Sequence, residues 1–314
     1  MLYNRYFGLD VSPFELSPDP RFFCSISKTT ATLGSMYYAL WKRKGFVVMT
    51  GEVGTGKTLL VRFLLELLRR QRIPFVNVFN PTLSAVDFLK YICFDLGIQI
   101  TDDSKAGLLR ALYCYLLSQL QKGLTTVLVI DEAHRMTARA LEEVRLLTNL
   151  ETSQHKLIQI VLVGQPELDS QLDSFELRQL KQRIALRCTL DRFTIVETHK
   201  YIEHRLRRAG WKSESEIFPP EAIEAIQHYS LGTPRLINSI CDQSLVAAYA
   251  RQLRSVTPAV IHEVAASFRL ETLAEPPKPV VAPAAAEQSE AAKYQLQVVE
   301  SAKAKPAKIH RGIL

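Results

Sequence analysis

No apolar run in this sequence approaches the roughly 20 residues that a helix needs to cross a bilayer. The N-terminus, MLYNRYFGLDVSPFE, has neither the basic start nor the apolar centre of a secretory signal. Both absences point to a protein that begins in the cytoplasm and stays there. Cysteine is scarce: Cys24, Cys93, Cys114, Cys188 and Cys241 are odd in number and scattered. Lacking the paired short spacing of a zinc site, they read as reduced, partly buried core thiols. No internal repeat is visible.

What is present is ordinary in bulk. Hydrophobic residues make up 47% and charged residues 23% of 314, which indicates neither a disordered nor a fibrous chain. Single cores stop growing at roughly 250 to 300 residues, so two packed units are expected. The net charge of +7 and a pI near 9.1 permit attraction to nucleic acid or an anionic membrane without requiring it. A solvated surface accounts for the same charge.

Organisation changes along the chain. Residues 1–45 form an N-terminal segment expected to pack on the core that follows. Over residues 46–192, short β-rich runs alternate with helical stretches, the pattern of a parallel sheet covered on both faces. The strand candidates are GFVVMTG, PFVNVFN, TTVLVID, LIQIVLVGQ and ALRCTLDRF. Residues 193–273 carry four helical segments, roughly 196–209, 219–230, 234–252 and 257–269, punctuated by Gly210, Gly232 and Pro258. In residues 274–314, Pro, Ala, Lys and Glu crowd out large apolar side chains, and disorder is expected there.

The stretch Gly51-Glu52-Val53-Gly54-Thr55-Gly56-Lys57-Thr58-Leu59 fits the phosphate-loop pattern G-x-x-x-x-G-K-[ST], the Walker A motif. Glycines let backbone N–H groups curl around phosphate oxygens, and the helix that follows adds the positive end of its dipole. Lys57 is placed for the outer phosphates of ATP, and the Thr58 hydroxyl for the Mg2+ that bridges them. An apolar run before the loop and a strong helix after it are what this mechanism requires. At the end of another apolar strand, TTVLVIDEAH offers Asp131 as a magnesium anchor and Glu132 to polarise the attacking water, a Walker B arrangement. His134 reads as a supporting residue.

Four further positions have a physical rationale. Gln165 ends LIQIVLVGQ, where a polar side chain on the neighbouring strand meets water or the γ-phosphate. Arg178 and Arg183, in ELRQLKQRIALR, are expected on a basic helix beyond that strand, placed as candidate arginine fingers for a neighbouring subunit's nucleotide. Arg235, in LGTPRLIN, opens a helix of the small domain and is a candidate phosphate contact from the lid side.

Together, the phosphate loop, VLVIDEAH, VLVGQPEL, LKQRIALR and GTPRLIN resemble the AAA+ ATPases. More narrowly, YFGLDVSPFELSPDPRFF, KGFVVMTGEVGTGKT, YIEHRLRRAGW and GTPRLINSICDQSLVAAYA resemble the ExeA/GspA-type ATPases of the general secretion pathway, with relatives in exosortase and pilus systems. The resemblance implies an α/β P-loop NTPase core of three αβα layers with a five-stranded parallel sheet, a small all-α lid, ATP and Mg2+ as ligands, and assembly into homo-oligomers. It makes Gln165 a sensor, Arg183 the first candidate finger and Arg178 the second, Arg235 the lid sensor, and Asn80 a restraint on Glu132. Longer relatives continue into a membrane span and a peptidoglycan-binding module, so direct action on the cell wall does not carry over to this sequence.

Two uses for the energy are open at this point. One is an assembly factor for a secretion, pilus or exopolysaccharide export system, cytoplasmic or peripheral at the inner membrane. The other is a DNA-binding regulator similar to the transposition helper ATPases. His199, Lys200, His204, Arg205, Arg207 and Arg208 form a basic stretch on the lid for which nucleic-acid phosphates are one candidate partner and a solvated helix face is the plainer account.

Overall fold

The computed structural model describes residues 2–270 apart from 18, 80, 214 and 215. Asn80 and residues 274–314 therefore lie outside the described residues. Five strands form one parallel sheet: β1 (Phe46–Gly51), β2 (Phe75–Val78), β3 (Thr126–Ile130), β4 (Ile158–Gly164) and β5 (Ile184–Leu190), in the order β2-β3-β4-β1-β5. These are the five runs expected from the sequence. β1, β3 and β4 are buried along their whole length, which is why they read as continuous apolar runs.

The period-2 pleat divides their side chains between two cores. Phe46, Val48, Leu128, Ile130, Ile160 and Leu162 face one core. Val47, Met49, Val127, Val129, Val161 and Val163 face the other. Helices α1 (Leu2–Phe7), α2 (Ser27–Trp41) and α3 (Lys57–Arg70) come first in the chain. Of these, α2 and α3 cover the second face through Met36, Leu40, Leu60, Leu64 and Leu68. On the opposite face lie α4 (Ala85–Asp95), α5 (Lys105–Gln121), α6 (Ala138–Leu147), α7 (Glu167–Leu172) and the four-residue α8 (Arg178–Lys181). The polar stripe of α3 is closed on itself, with Glu66 pairing to both Arg69 and Arg70.

Four helices then form the small domain: α9 (Ile195–Arg208), α10 (Pro220–Ser230), α11 (Pro234–Ala250) and α12 (Pro258–Ser267). A capping box between Thr194 and Glu197 starts α9. Beside it, Phe193 N–H donates to the Gly232 carbonyl at 2.8 Å. A Cβ on Gly232, at φ +74°, would stand 1.9 Å from the Phe193 carbonyl oxygen, so this crossing requires glycine.

The N-terminal segment divides its contacts. α2 lies on the sheet, but Tyr3, Phe7, Leu9, Phe14, Phe22 and Ile26 join the apolar cluster of the small domain. The physical reason is area: these aromatic and aliphatic groups need cover, and the lid helices supply it. The thiols also divide. Cys93 and Cys241 are buried and Cys24 and Cys188 partly so, whereas Cys114 is exposed on α5, which corrects the reading of all five as core residues.

Candidate functional site

The loop between β1 and α3 folds around its own lysine. Lys57 Nζ donates to the carbonyls of Gly51 (2.7 Å) and Glu52 (2.8 Å), and the residue is only 6% exposed. Burial lowers its proton affinity below the usual lysine value, opposed by the nearby charges of Glu132 and Asp131. Thr55 Oγ1 donates to Glu52 O at 2.8 Å and holds the turn closed. Gly51 lies against β5, where a Cβ would come within 2.7 Å of Leu190 O.

Thr58 Oγ1 donates to Asp131 Oδ2 at 3.2 Å, joining the start of α3 to the end of β3. Asp131 is buried, and that burial raises its carboxyl pKa above the usual range, while the backbone N–H of Glu132, at 2.9 Å from Oδ1, pulls the other way. Two hard oxygen donors at this spacing, with a buried carboxylate between strand and helix, are a donor set that fits a magnesium ion. Glu132 follows with φ +56°, a left-handed conformation uncommon for a residue with a side chain.

A cavity of about 460 Å³ opens over the loop. Val53, Gly54, Gly56, Lys57, Thr58 and Leu59 form its floor, and Glu132, Gln165 and Arg235 reach it from β3, β4 and α11. The lid touches the loop directly, since Arg235 N–H donates to Gly54 O at 3.2 Å. Gly54, at φ +82°, would meet Arg235 Cβ at 2.9 Å if it carried a side chain. Gly51, Glu52, Thr55 and Asp131 support the cavity without lining it.

Arg178 and Arg183 do not reach this cavity within the chain. Arg178 stacks over Phe175 (4.1 Å) and donates to Phe175 O. Arg183 Nη1 donates to Thr148 Oγ1 (2.5 Å) and Asn149 Oδ1 (2.7 Å). Only Arg178 lies on a helix, because α8 ends at Lys181 and Arg183 belongs to the turn into β5. That corrects the basic helix expected for both.

Sequence reasoning missed one wall. Glu15, Leu16, Ser17 and Asp19 line the cavity from the N-terminal segment, and Tyr201 and Asn238 from the lid. Arg205 ties the two together and is 4% exposed. Its guanidinium donates to Pro13 O (2.5 Å), Glu15 O (3.4 Å) and Tyr201 Oη (2.7 Å), and lies over the Phe22 ring at 4.8 Å. The basic stretch on α9 is thus not one free patch. Arg205 is interior, Arg207 pairs with Glu203, and Arg208 donates to Arg21 O. Replacing Arg205 with methionine is expected to destabilise the protein by about 3 kcal/mol, because it orphans carbonyls the guanidinium satisfies. Chemical denaturation at constant m-value measures this.

A phosphate loop at the end of a central parallel strand, an acidic end on the strand two places away and a helical lid closing on both define the AAA class of P-loop ATPase folds. Residues 40–172 match the family model described as AAA domain. Solved structures agree on the fold: Cdc6p from Pyrobaculum aerophilum (19% identity, 85% of this chain and 71% of that one, TM-score 0.61) and the ORC2 protein of Aeropyrum pernix in ADPNP-ADP complexes (17%, 82% and 71%, TM-score 0.60). The RuvB Holliday junction branch migration motor of Thermotoga maritima aligns at TM-score 0.51 with 19% identity over 77% of this chain and 70% of that one. By sequence, this chain is similar to "General secretion pathway protein A" of Aeromonas hydrophila, to which it is 40% identical over 251 residues. The match takes in 80% of this chain and 45% of that protein, so the chain spans less than half the length of its curated relative. No helix among the described residues is long and apolar enough to cross a membrane.

Proposed function

We propose that this protein binds ATP with magnesium and hydrolyses it as a homo-oligomeric ATPase that assembles or energises a secretion, pilus or exopolysaccharide export system. The observation that carries the reading is the meeting of Lys57, Thr58, Glu132, Gln165 and Arg235, from four separate elements, around one cavity of about 460 Å³. Lys57 exchanges its loop carbonyls for the outer phosphates, and the loop N–H groups cradle the rest. Thr58 and Asp131 hold the magnesium, which when bound neutralises charge on the phosphate oxygens. Glu132 orients a water whose oxygen bonds to the γ-phosphorus as the bond to the bridging oxygen breaks. ADP leaves with that electron pair, and the water's proton passes to Glu132 and on to solvent. Gln165 and Arg235 contact the transferring phosphate from the strand and the lid.

Arg183, with Arg178 second, serves the site of an adjacent subunit, since both are held away from their own cavity. The export role follows the name of the relative from Aeromonas, and a cytoplasmic protein with peripheral contact at the inner membrane suits it. For the alternative, a DNA-binding regulator, the lid stretch is poorly suited now that Arg205 is interior. Titration calorimetry of nucleotide-free protein with MgATP, followed by phosphate release, tests the reading. Saturable uptake with magnesium-dependent turnover is expected, and no heat of binding at any protein concentration overturns it.

A further inference from the structure

His134 sits in the 3-10 turn Ala133–Arg135 directly after Glu132, with its side chain 14% exposed. Its ring is caught between strands. The backbone N–H of Gln165 donates to His134 Nδ1 at 3.3 Å, so Nδ1 is the acceptor nitrogen. The neutral ring then carries its proton on Nε2. Glu132 Oε2, 3.6 Å from Nε2, favours the same tautomer through its charge.

The terminal amide of Gln165 meets that Nε2 at 3.0 Å, through its nitrogen in the structure. Two donors do not face each other at that distance. A half-turn about χ3 exchanges amide oxygen and nitrogen with almost no change of shape, and the tautomer decides between them. Nε2–H selects the amide oxygen, which leaves the NH2 group of Gln165 turned to the cavity it lines.

We propose that His134 is a positioning residue that sets the polarity of the Gln165 amide, so that Gln165 presents N–H donors to the terminal phosphate of the nucleotide. This rests on the ATP-hydrolysing reading of the site. A terminal phosphate offers only acceptor oxygens, so a reversed amide would place oxygen against oxygen. The relay runs from the Gln165 backbone N–H, through the imidazole, to the Gln165 side chain, and needs no other residue to define its direction.

The test compares kcat and KM for ATP in the wild type, His134→Ala, Gln165→Ala and the double variant. Each single change is expected to lower kcat by about tenfold or more while KM shifts less than about twofold. The double variant should be no slower than Gln165→Ala alone, because the histidine acts only through that amide. His134→Gln, which keeps an N–H near the Nε2 position, should recover most of the lost rate. Losses that multiply in the double variant, or a His134→Ala protein as fast as wild type, overturn the proposal. Nitrogen-15 spectra of the imidazole, assigned with His134→Gln, provide a readout independent of turnover. Nδ1 unprotonated and Nε2 protonated is the expected pattern, and the opposite tautomer overturns the relay. If His134→Ala fails to fold, His134→Gln and the wild-type tautomer carry the test. A wild type without turnover overturns the functional reading instead, which is thereby distinguished from failure of the relay in active protein.

Discussion

Replacing Lys57 with alanine is expected to weaken MgATP binding by at least about 100-fold, close to 2.7 kcal/mol, while the nucleotide-free protein melts nearly as before. The asymmetry comes from where the ammonium is. In the free protein it is buried and bonded to two loop carbonyls, Gly51 O and Glu52 O. Those bonds offset a desolvation cost that already lowers its proton affinity. Removing the side chain loses both terms together, and water entering over the loop satisfies the carbonyls. In the bound state no other group of the loop replaces it: the loop N–H groups are dipoles, and Lys57 is the cation among them. A thermal shift reads the difference. At a ligand concentration of about 100 times the wild-type Kd, the wild type gains about 2.7 kcal/mol and a variant weakened 100-fold about 0.4 kcal/mol. An undiminished ATP-dependent shift in Lys57→Ala would mean that the phosphates lie elsewhere.

How much of this was legible in the sequence depends on whether the signal was local. Strands β1, β3 and β4 were, because burial on both faces leaves runs such as FVVMTG and IQIVLVG that no solvent-facing segment would show. The phosphate loop was too, since its spacing is fixed by backbone curvature over eight residues. The opposite wall was not. Glu15, Ser17, Tyr201 and Asn238 share a cavity only after Pro13, Glu15 and Phe22 pack onto α9, and the contact between Arg205 and Pro13 O spans 192 residues. Nothing in YIEHRLRRAGW distinguishes Arg205 from Arg207 or Arg208 except its position on the helix. Tyr201 and Arg205 lie one turn apart on the buried face, whereas Arg207 falls on the outer one. The helical period therefore held a clue that counting basic residues obscured. Arg183 shows the complementary limit. Its partners, Thr148 and Asn149, lie at the end of α6, and no spacing rule links that position to the start of β5.

Glu132→Gln is expected to lower kcat for ATP by about 100- to 1000-fold and to leave MgATP affinity within about threefold of wild type. Glutamine keeps the shape and the backbone requirement of the position, where φ is +56° and the N–H is held by Asp131 Oδ1 at 2.9 Å. It removes the one property that matters to water, a carboxylate able to accept its proton. Affinity is spared because, among the described residues, no hydrogen bond runs from the Glu132 side chain to the loop, and its influence on Lys57 is through space. That loss of negative charge near incoming phosphates, if anything, strengthens binding. The same substitution separates an enzyme from a nucleotide-operated switch: a switch with negligible turnover would show equal, slow phosphate release in both proteins. It also bears on why the backbone tolerates a left-handed glutamate costing about 1 kcal/mol. The next residues must turn sharply for His134 to reach Gln165, and Glu132, two residues past the end of β3, is the joint at which that turn begins. Phosphate release measured under single-turnover conditions, beside calorimetric binding of MgATP, resolves the two effects. A variant that loses affinity and rate together would place Glu132 among the binding groups and leave the water without an assigned base.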